Sequence, residues 1–122
     1  MNRIGLGIIT CNREDFYKEC YNSVPLDIVD DLVTVNDGSD LVGDYPQTKI
    51  ITHKENKGVG ISKNEAMQYL LDQNCEHIFL IEDDIIIKDK NVFKKYINTA
   101  AQSGMWHLMF GYHGPANKSK ED

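Results

Sequence analysis

The chain has 122 residues, 41% hydrophobic and 26% charged, which fits one compact domain with a single core. Its formal net charge of −6 argues against a protein that grips nucleic-acid phosphates or adheres to anionic lipid. The sequence shows no signal peptide, no run approaching the ~20 apolar residues of a membrane span, and no CxxC pair among its three cysteines, so we expect a cytoplasmic protein without a structural zinc site.

Strand-like and helix-like patterns alternate along the chain. Short apolar runs rich in Ile and Val predict five strands, at residues 4–9, 28–35, 49–52, 77–81 and 106–110. Between them, helical spacing of apolar residues predicts three helices. Asn12 is predicted to cap the first helix, Ser62 and Glu65 have the spacing of a capping box for the second, and Gly104 closes the third.

This alternation predicts an α/β fold with a mostly parallel sheet flanked by helices. We expect one domain over residues 1–116, followed by a polar C-terminal tail at 117–122. Polar segments follow the first, second and fourth strands, at their carboxyl ends. If the second and fourth strands lie on opposite sides of the first, these segments converge where ligands bind in open α/β sheets.

The strongest local signal is the acidic cluster Glu82-Asp83-Asp84. An apolar strand delivers three consecutive carboxylates to one point, and such crowding favours a cation that neutralises them. Mg²⁺ and Mn²⁺ use one or two carboxylates together with phosphate oxygens and water. An ordinary acidic loop explains the cluster almost as well, and both interpretations stay open at this stage.

Two further segments have a plain and a functional interpretation. Residues 36–40 have the composition of a turn. In the functional interpretation, Asp37 accepts a hydrogen bond from an imide N–H of a base such as uracil, and Gly38 lets a flat ring approach the backbone. Residues 54–60 read as a flexible loop or as a phosphate-cradling loop before a helix. The four histidines lack paired metal-ligand spacing, which favours structural roles; His113 stands out because it follows the fifth strand.

Together these segments resemble the donor-binding half of GT-A-fold glycosyltransferases, particularly the inverting family 2. The resemblance covers about residues 4 to 111 and rests on four ordered motifs, whose order and intervals agree with that family. The motifs are Thr10-Cys11-Asn12-Arg13, Val35-Asn36-Asp37-Gly38-Ser39-Asp40, Asn56 to Asn64 and the DxD-type Glu82-Asp83-Asp84. It implies a Rossmann-like GT-A fold that binds a nucleotide-diphosphate sugar.

The family's roles carry over by position. Asp37 corresponds to the aspartate that recognises the base. Asp84 corresponds to the metal ligand, and the implied ion is Mn²⁺ or Mg²⁺. Glu82 corresponds to the first position of the DxD motif, which also belongs to the implied metal site. Asp83 would lie near the ribose or donor sugar. Nucleotide-sugar contact is implied for Thr10, Asn12, Arg13, Asp37, Gly38, Lys57, Gly58, Lys63 and Asp83.

The implied reaction transfers a sugar, from a UDP-sugar in the first instance, to the hydroxyl of a saccharide or other acceptor, with inversion. GT-A enzymes usually carry a further acceptor-binding half that includes the general base, whereas this chain stops soon after the fifth predicted strand. No base is therefore identified, and donor binding without transfer is a second form of the hypothesis.

Two alternatives come from other functional classes. A receiver-like signalling domain also has an acidic pocket at strand ends, but its acids would follow the first strand and its phosphoacceptor the third. Here those strands end in Thr10-Cys11-Asn12-Arg13 and in Thr52-His53-Lys54. A non-catalytic interaction module that keeps the fold without the chemistry is the other alternative.

Overall fold

The structure is a computed structural model that describes residues 3–103. The predicted strand at 106–110, Gly104, His113 and the tail at 117–122 lie outside the described residues. The other predicted strands and helices are present. In chain order the elements are β1 (Ile4–Thr10), α1 (Glu14–Ser23), β2 (Asp31–Asn36), β3 (Lys49–Thr52), α2 (Val59–Asp72), β4 (His77–Glu82) and α3 (Val92–Ser103).

The four strands form one parallel sheet in the order β3-β2-β1-β4. β1 pairs with β2, so that Thr10 lies opposite Asn36, and with β4, so that Ile9 lies opposite Glu82. The predicted parallel sheet is confirmed, and β2 and β4 lie on opposite sides of β1, which is the condition for the three polar segments to converge. The chain therefore has a Rossmann-like α/β arrangement, and its strands end together at what we call the carboxyl edge.

α2 covers one face of the sheet. Val33 and Val35 of β2 and Ile9 of β1 pack with Ala66 and Leu70 of α2 in a buried core cluster. Burial of such side chains is worth about 1.5–3 kcal/mol each, so this layer supplies much of the folding free energy.

α1 covers the opposite face. Thr34 lies between Val33 and Val35 on β2 and therefore points away from α2. Its hydroxyl is 2.8 Å from the buried phenol oxygen of Tyr17, whose ring packs edge-on against Tyr45. Burial raises the pKa of the Tyr17 phenol, which keeps it protonated. Cys20 is also buried in α1, and its thiol donates to the Glu82 carbonyl.

The two predicted N-terminal caps, of α1 and of α2, are both wrong. α1 begins at Glu14 without a side-chain cap, because Asn12 has a φ of 55° and its side chain accepts a hydrogen bond from the Ser39 N–H instead. α2 begins at Val59, and the Ser62 hydroxyl donates to the Gly58 carbonyl from inside the helix. Local spacing pointed to the wrong starts because tertiary partners decide these helix ends.

β2 is shorter than predicted. The backbone N–H groups of Ile28 and Val29 both donate to the Pro25 carbonyl and form a turn after α1. The strand starts at Asp31, where pairing with Gly5 of β1 begins. Apolar composition alone did not separate the turn from the strand.

Contacts divide the chain into two compact units, Met1–Lys90 and Asn91–Asp122. The sheet, α1, α2 and their loops belong to the first unit, and α3 is the described element of the second. None of the helices within residues 3–103 combines the length and apolar character that a bilayer crossing requires.

Glycine on β1 allows α2 to approach the sheet closely. A Cβ added at Gly7 would lie 2.9 Å from Ala66 Cβ and 2.9 Å from Leu80 Cδ2. We expect Gly7→Ala to lower the free energy of unfolding by about 2 kcal/mol through overpacking, as measured by urea denaturation.

Gly60 is the matched control, because an added Cβ there meets no atom within 4 Å. We expect Gly60→Ala to raise stability by about 0.5 kcal/mol through helix propensity. Equal stability of Gly7→Ala and the unmodified chain would contradict the close packing of β1 against α2.

Candidate functional site

The carboxyl edge contains two neighbouring clefts. The first, which we call the switch cleft, lies where the chain order reverses between β1 and β4 and has a volume of about 260 Å³. It is lined by Ile9, Thr10, Cys11, Arg13, Val59, Glu82 and Asp83. The second, the loop cleft, has a volume of about 300 Å³ and is lined by Asn12, Arg13, Glu14, Ser39, Asp40 and Leu41. Arg13 is shared by both clefts.

Asp83, the middle member of the acidic cluster, is held by the protein itself. Its side chain is 2% exposed, and its carboxylate accepts hydrogen bonds from the Thr10 hydroxyl, at 2.8 Å, and from the Arg13 guanidinium. Its backbone N–H donates to the Ile9 carbonyl at 3.1 Å. Asp83 therefore ties the segment after β4 to β1 and holds Arg13 at the switch cleft.

The flanking carboxylates face solvent. Glu82 ends β4, and its Oε2 lies 3.7 Å from the Lys63 ammonium of α2. Asp84 is exposed, and among residues 3–103 none donates a hydrogen bond to its carboxylate. The three acids thus differ in environment, which their adjacency in the sequence did not reveal.

The donor set bears on the proposed cation. Within the described part of the chain, no group of three or more His, Cys, Asp or Glu converges to hold a metal ion. Glu82 and Asp84 offer exposed hard oxygen donors, which suit Mg²⁺ or Mn²⁺ when substrate phosphate and water complete the coordination. A cation at these two carboxylates would therefore need ligand and water oxygens to complete its coordination.

Asp37 organises the opposite side of the edge. Its buried carboxylate accepts hydrogen bonds from the backbone N–H groups of Lys57, at 2.7 Å, and Gly58, at 2.9 Å, and its Oδ1 lies 2.6 Å from His53 Nδ1. These bonds, the Lys57 N–H foremost, hold the pKa of Asp37 below its ordinary value. The carboxylate lines neither cleft.

Asp37 also explains where α2 begins. Gly58 has a φ of 92°, in the region that favours glycine, and the N–H groups of Lys57 and Gly58 both donate to the carboxylate just before the helix. Asn56 reinforces the loop by donating its side-chain amide to the Asp37 carbonyl at 3.0 Å. The contacts of Lys57 and Gly58 with Asp37 are made by their backbones.

Gly38 packs against the first loop. A Cβ at this position would come 2.4 Å from Asn12 Oδ1, which accepts the hydrogen bond from Ser39 N–H at 2.7 Å. The close approach joins the loops that follow β1 and β2. The packing of these loops therefore requires glycine at position 38, independently of the predicted approach of a flat ring.

Three anchoring residues were not singled out as site residues in the sequence. His53 lies directly after β3 at the same edge and contacts Asp37 and Glu65. Glu14 accepts hydrogen bonds from the Tyr45 phenol, at 2.6 Å, and from the backbone N–H groups of residues 42 and 43. The position of His53 at a strand end was a usable signal, but no local pattern indicated the partners of Glu14 or Glu65.

The structure brings the predicted site residues to one edge but gives them different environments. Comparison with protein-family models finds no match, and comparison with curated proteins finds none either. Function therefore has to be inferred from the residues and their placement.

Proposed function

We propose that this chain binds a nucleotide-diphosphate sugar, UDP-linked in the first instance, as the donor-binding part of a GT-A-like glycosyltransferase. The observation that supports this most is the switch cleft, which Arg13, Thr10 and two acids, Glu82 and Asp83, border at the reversal of strand order. Ligands of open parallel sheets bind at this position. The bound sugar would be transferred to an acceptor hydroxyl, with inversion.

Arg13 and the start of α2 are the anion-binding elements of the proposal. The Arg13 side chain is 43% exposed and carries five N–H donors, so donors remain for phosphate oxygens beside the bond to Asp83. Val59, the first residue of α2, lines the same cleft. The dipole and the first N–H groups of a helix favour a diphosphate there, although Asp37 already accepts the N–H groups of Lys57 and Gly58 just before Val59.

Glu82 and Asp84 are the proposed ligands of Mn²⁺ or Mg²⁺. When bound, the cation would supply Lewis-acid neutralisation of the charge on the leaving nucleoside diphosphate. Lys63, whose ammonium lies near Glu82, places a further positive charge at this end of the cleft. Asp83 contributes by fixing the orientation of Arg13 and Thr10.

Base recognition by Asp37 is compatible with its hydrogen bonds. Oδ1 already accepts from Lys57 N–H and contacts His53, whereas among residues 3–103 Oδ2 accepts from Gly58 N–H alone. A carboxylate oxygen has two lone pairs, so Oδ2 retains acceptor capacity for an imide N–H. Because the side chain is 4% exposed and lines neither cleft, this contact with the base requires the surrounding loops to move.

The proposal is tested by calorimetric titration of the chain with UDP, with and without Mn²⁺. We expect metal-dependent binding, and we expect Asp84→Ala to weaken it by about tenfold or more, or roughly 1.4 kcal/mol. Asp27→Ala, an exposed acid before β2 and outside both clefts, is the matched control and leaves binding unchanged. Binding that is absent, or indifferent to both metal and Asp84→Ala, would remove the proposal.

A non-catalytic binding module is the second candidate. It is favoured by the internal hydrogen bonds of Asp37 and Asp83, since both carboxylates have structural partners without any ligand. A partner pull-down that survives Asp84→Ala, together with absent UDP binding, would support the module over the transferase.

A further inference from the structure

His53 has a carboxylate at each of its ring nitrogens. It follows β3 and is 7% exposed. Its Nδ1 lies 2.6 Å from Oδ1 of Asp37, in the loop after β2, and its Nε2 contacts Oε1 of Glu65 on α2. One imidazole ring therefore joins the ends of two strands to a helix.

The hydrogen-bonding requirements indicate the charge of this ring. Asp37 accepts two backbone N–H bonds besides the contact with His53, which is the pattern of an ionised carboxylate. An ionised Glu65 is likewise an acceptor only. A neutral imidazole has one donor nitrogen, so it cannot satisfy both carboxylates, whereas an imidazolium donates to both.

We propose that His53 is a proton-operated clasp, which when protonated binds Asp37 and Glu65 together and when neutral keeps Asp37 and releases Glu65. The clasp does not rest on the proposed function, since all of its partners belong to this chain. It holds α2 to the strand ends at the carboxyl edge, so the proton sets how firmly that helix is attached there.

Burial decides which contact is released. The Asp37 side chain is 4% exposed and keeps its backbone donors, whereas the Glu65 side chain is 37% exposed and can turn into solvent. The charged side chains with the main influence on the ring are these two acids. The side chains of residues 54–57, in the loop that follows, are exposed.

The pH range follows from the two shifts. The hydrogen bond to Asp37 raises the pKa of His53 from its ordinary value of 6.5, and the pKa of Asp37 is lowered from 3.8. Stability from a raised histidine pKa is fully present below 6.5 and is lost as the pH rises through the folded-state pKa. The stability that Asp37 contributes is fully present above pH 3.8 and is lost as the pH falls through the lowered pKa of Asp37.

The clasp is tested by NMR titration of the His53 imidazole in the full chain without ligand, from about pH 5 to about pH 9, where a histidine near its ordinary pKa changes charge. We expect a pKa above 6.5 in the unmodified chain and a fall of about one unit in Glu65→Gln. Asp72→Asn removes the same charge from the exposed end of α2 and leaves the titration unchanged. In the neutral form the proton stays on Nδ1.

Three results would overturn the clasp: a His53 pKa at or below 6.5, the same titration in Glu65→Gln, or a neutral form protonated at Nε2. Through-bond correlations assign the NMR signals of the His53 ring, so the test does not depend on a His53 variant that folds. Glu65 is partly exposed, so its replacement by Gln is compatible with folding. Because UDP is absent from the titration, failure of the clasp and failure of nucleotide binding are separate outcomes.

Discussion

Replacing Asp37 with alanine is expected to lower the free energy of unfolding by about 4 kcal/mol, the largest effect of any single change considered for this chain. The carboxylate is buried and accepts the backbone N–H groups of Lys57 and Gly58. Its removal leaves two partly buried backbone donors without an acceptor and His53 without its buried counter-charge.

Urea denaturation monitored by circular dichroism measures the Asp37 effect. Asp40→Ala is the matched control, because Asp40 lies in the same loop with an exposed side chain, and its change stays within about 0.5 kcal/mol. Asp37→Asn keeps an oxygen acceptor, so we expect its loss of unfolding free energy to lie between those of Asp37→Ala and Asp40→Ala. If Asp37→Ala is no less stable than Asp40→Ala, the carboxylate does not organise the start of α2.

The Arg13 and Asp83 pair is expected to give the second largest effect. Arg13→Met removes the cation from a carboxylate that is 2% exposed, which leaves a buried charge with the Thr10 hydroxyl as its remaining side-chain partner. We expect a loss of about 3 kcal/mol, at the lower end for a broken buried ion pair because Arg13 itself is 43% exposed.

A double-mutant cycle separates the pair from its surroundings. Arg13→Met and Asp83→Asn, alone and combined, are expected to show a coupling energy of about 2–3 kcal/mol in urea denaturation. The pair Arg3 and Asp31 is the control, since its arginine has similar exposure but its carboxylate is 13% exposed, and we expect a smaller coupling there. Additive losses for Arg13 and Asp83 would contradict a stabilising ion pair at the switch cleft.

Much of the fold was predictable because its signals are local. The bounds of β3 were predicted without error, and β1 and β4 each proved one residue longer than predicted, because apolar runs between polar loops mark buried strands. The polar residues at three strand ends were expected to converge if β2 and β4 flank β1, and the sheet has that order. Such signals do not require knowledge of the partners of each residue.

Helix starts were less predictable because they depend on distant groups. Asn12 was expected to cap α1, but the Ser39 backbone occupies its side-chain oxygen from 27 positions away. Ser62 was expected to begin α2. Instead, Asp37 accepts the N–H groups of Lys57 and Gly58, and the helix starts earlier in the chain, at Val59. Capping spacing describes only contacts within a few residues.

The candidate site was predictable in position but not in its connections. Thr10, Arg13 and Asp83 were placed at one edge from the sequence, yet nothing local indicated that Asp83 binds the other two. The link from Asp37 through His53 to Glu65 spans three separate segments. Contacts of this kind follow from topology and packing and cannot be derived from motif spacing.

The three cysteines give the chain a built-in attachment point for an optical reporter. Burial raises the pKa of Cys20 and of Cys75 to about 12, so both remain unreactive thiols at neutral pH. Cys11 is only partly buried and lines the switch cleft. A thiol-directed fluorophore would therefore label the unmodified sequence at Cys11. Its emission would then report the binding of a ligand in the switch cleft.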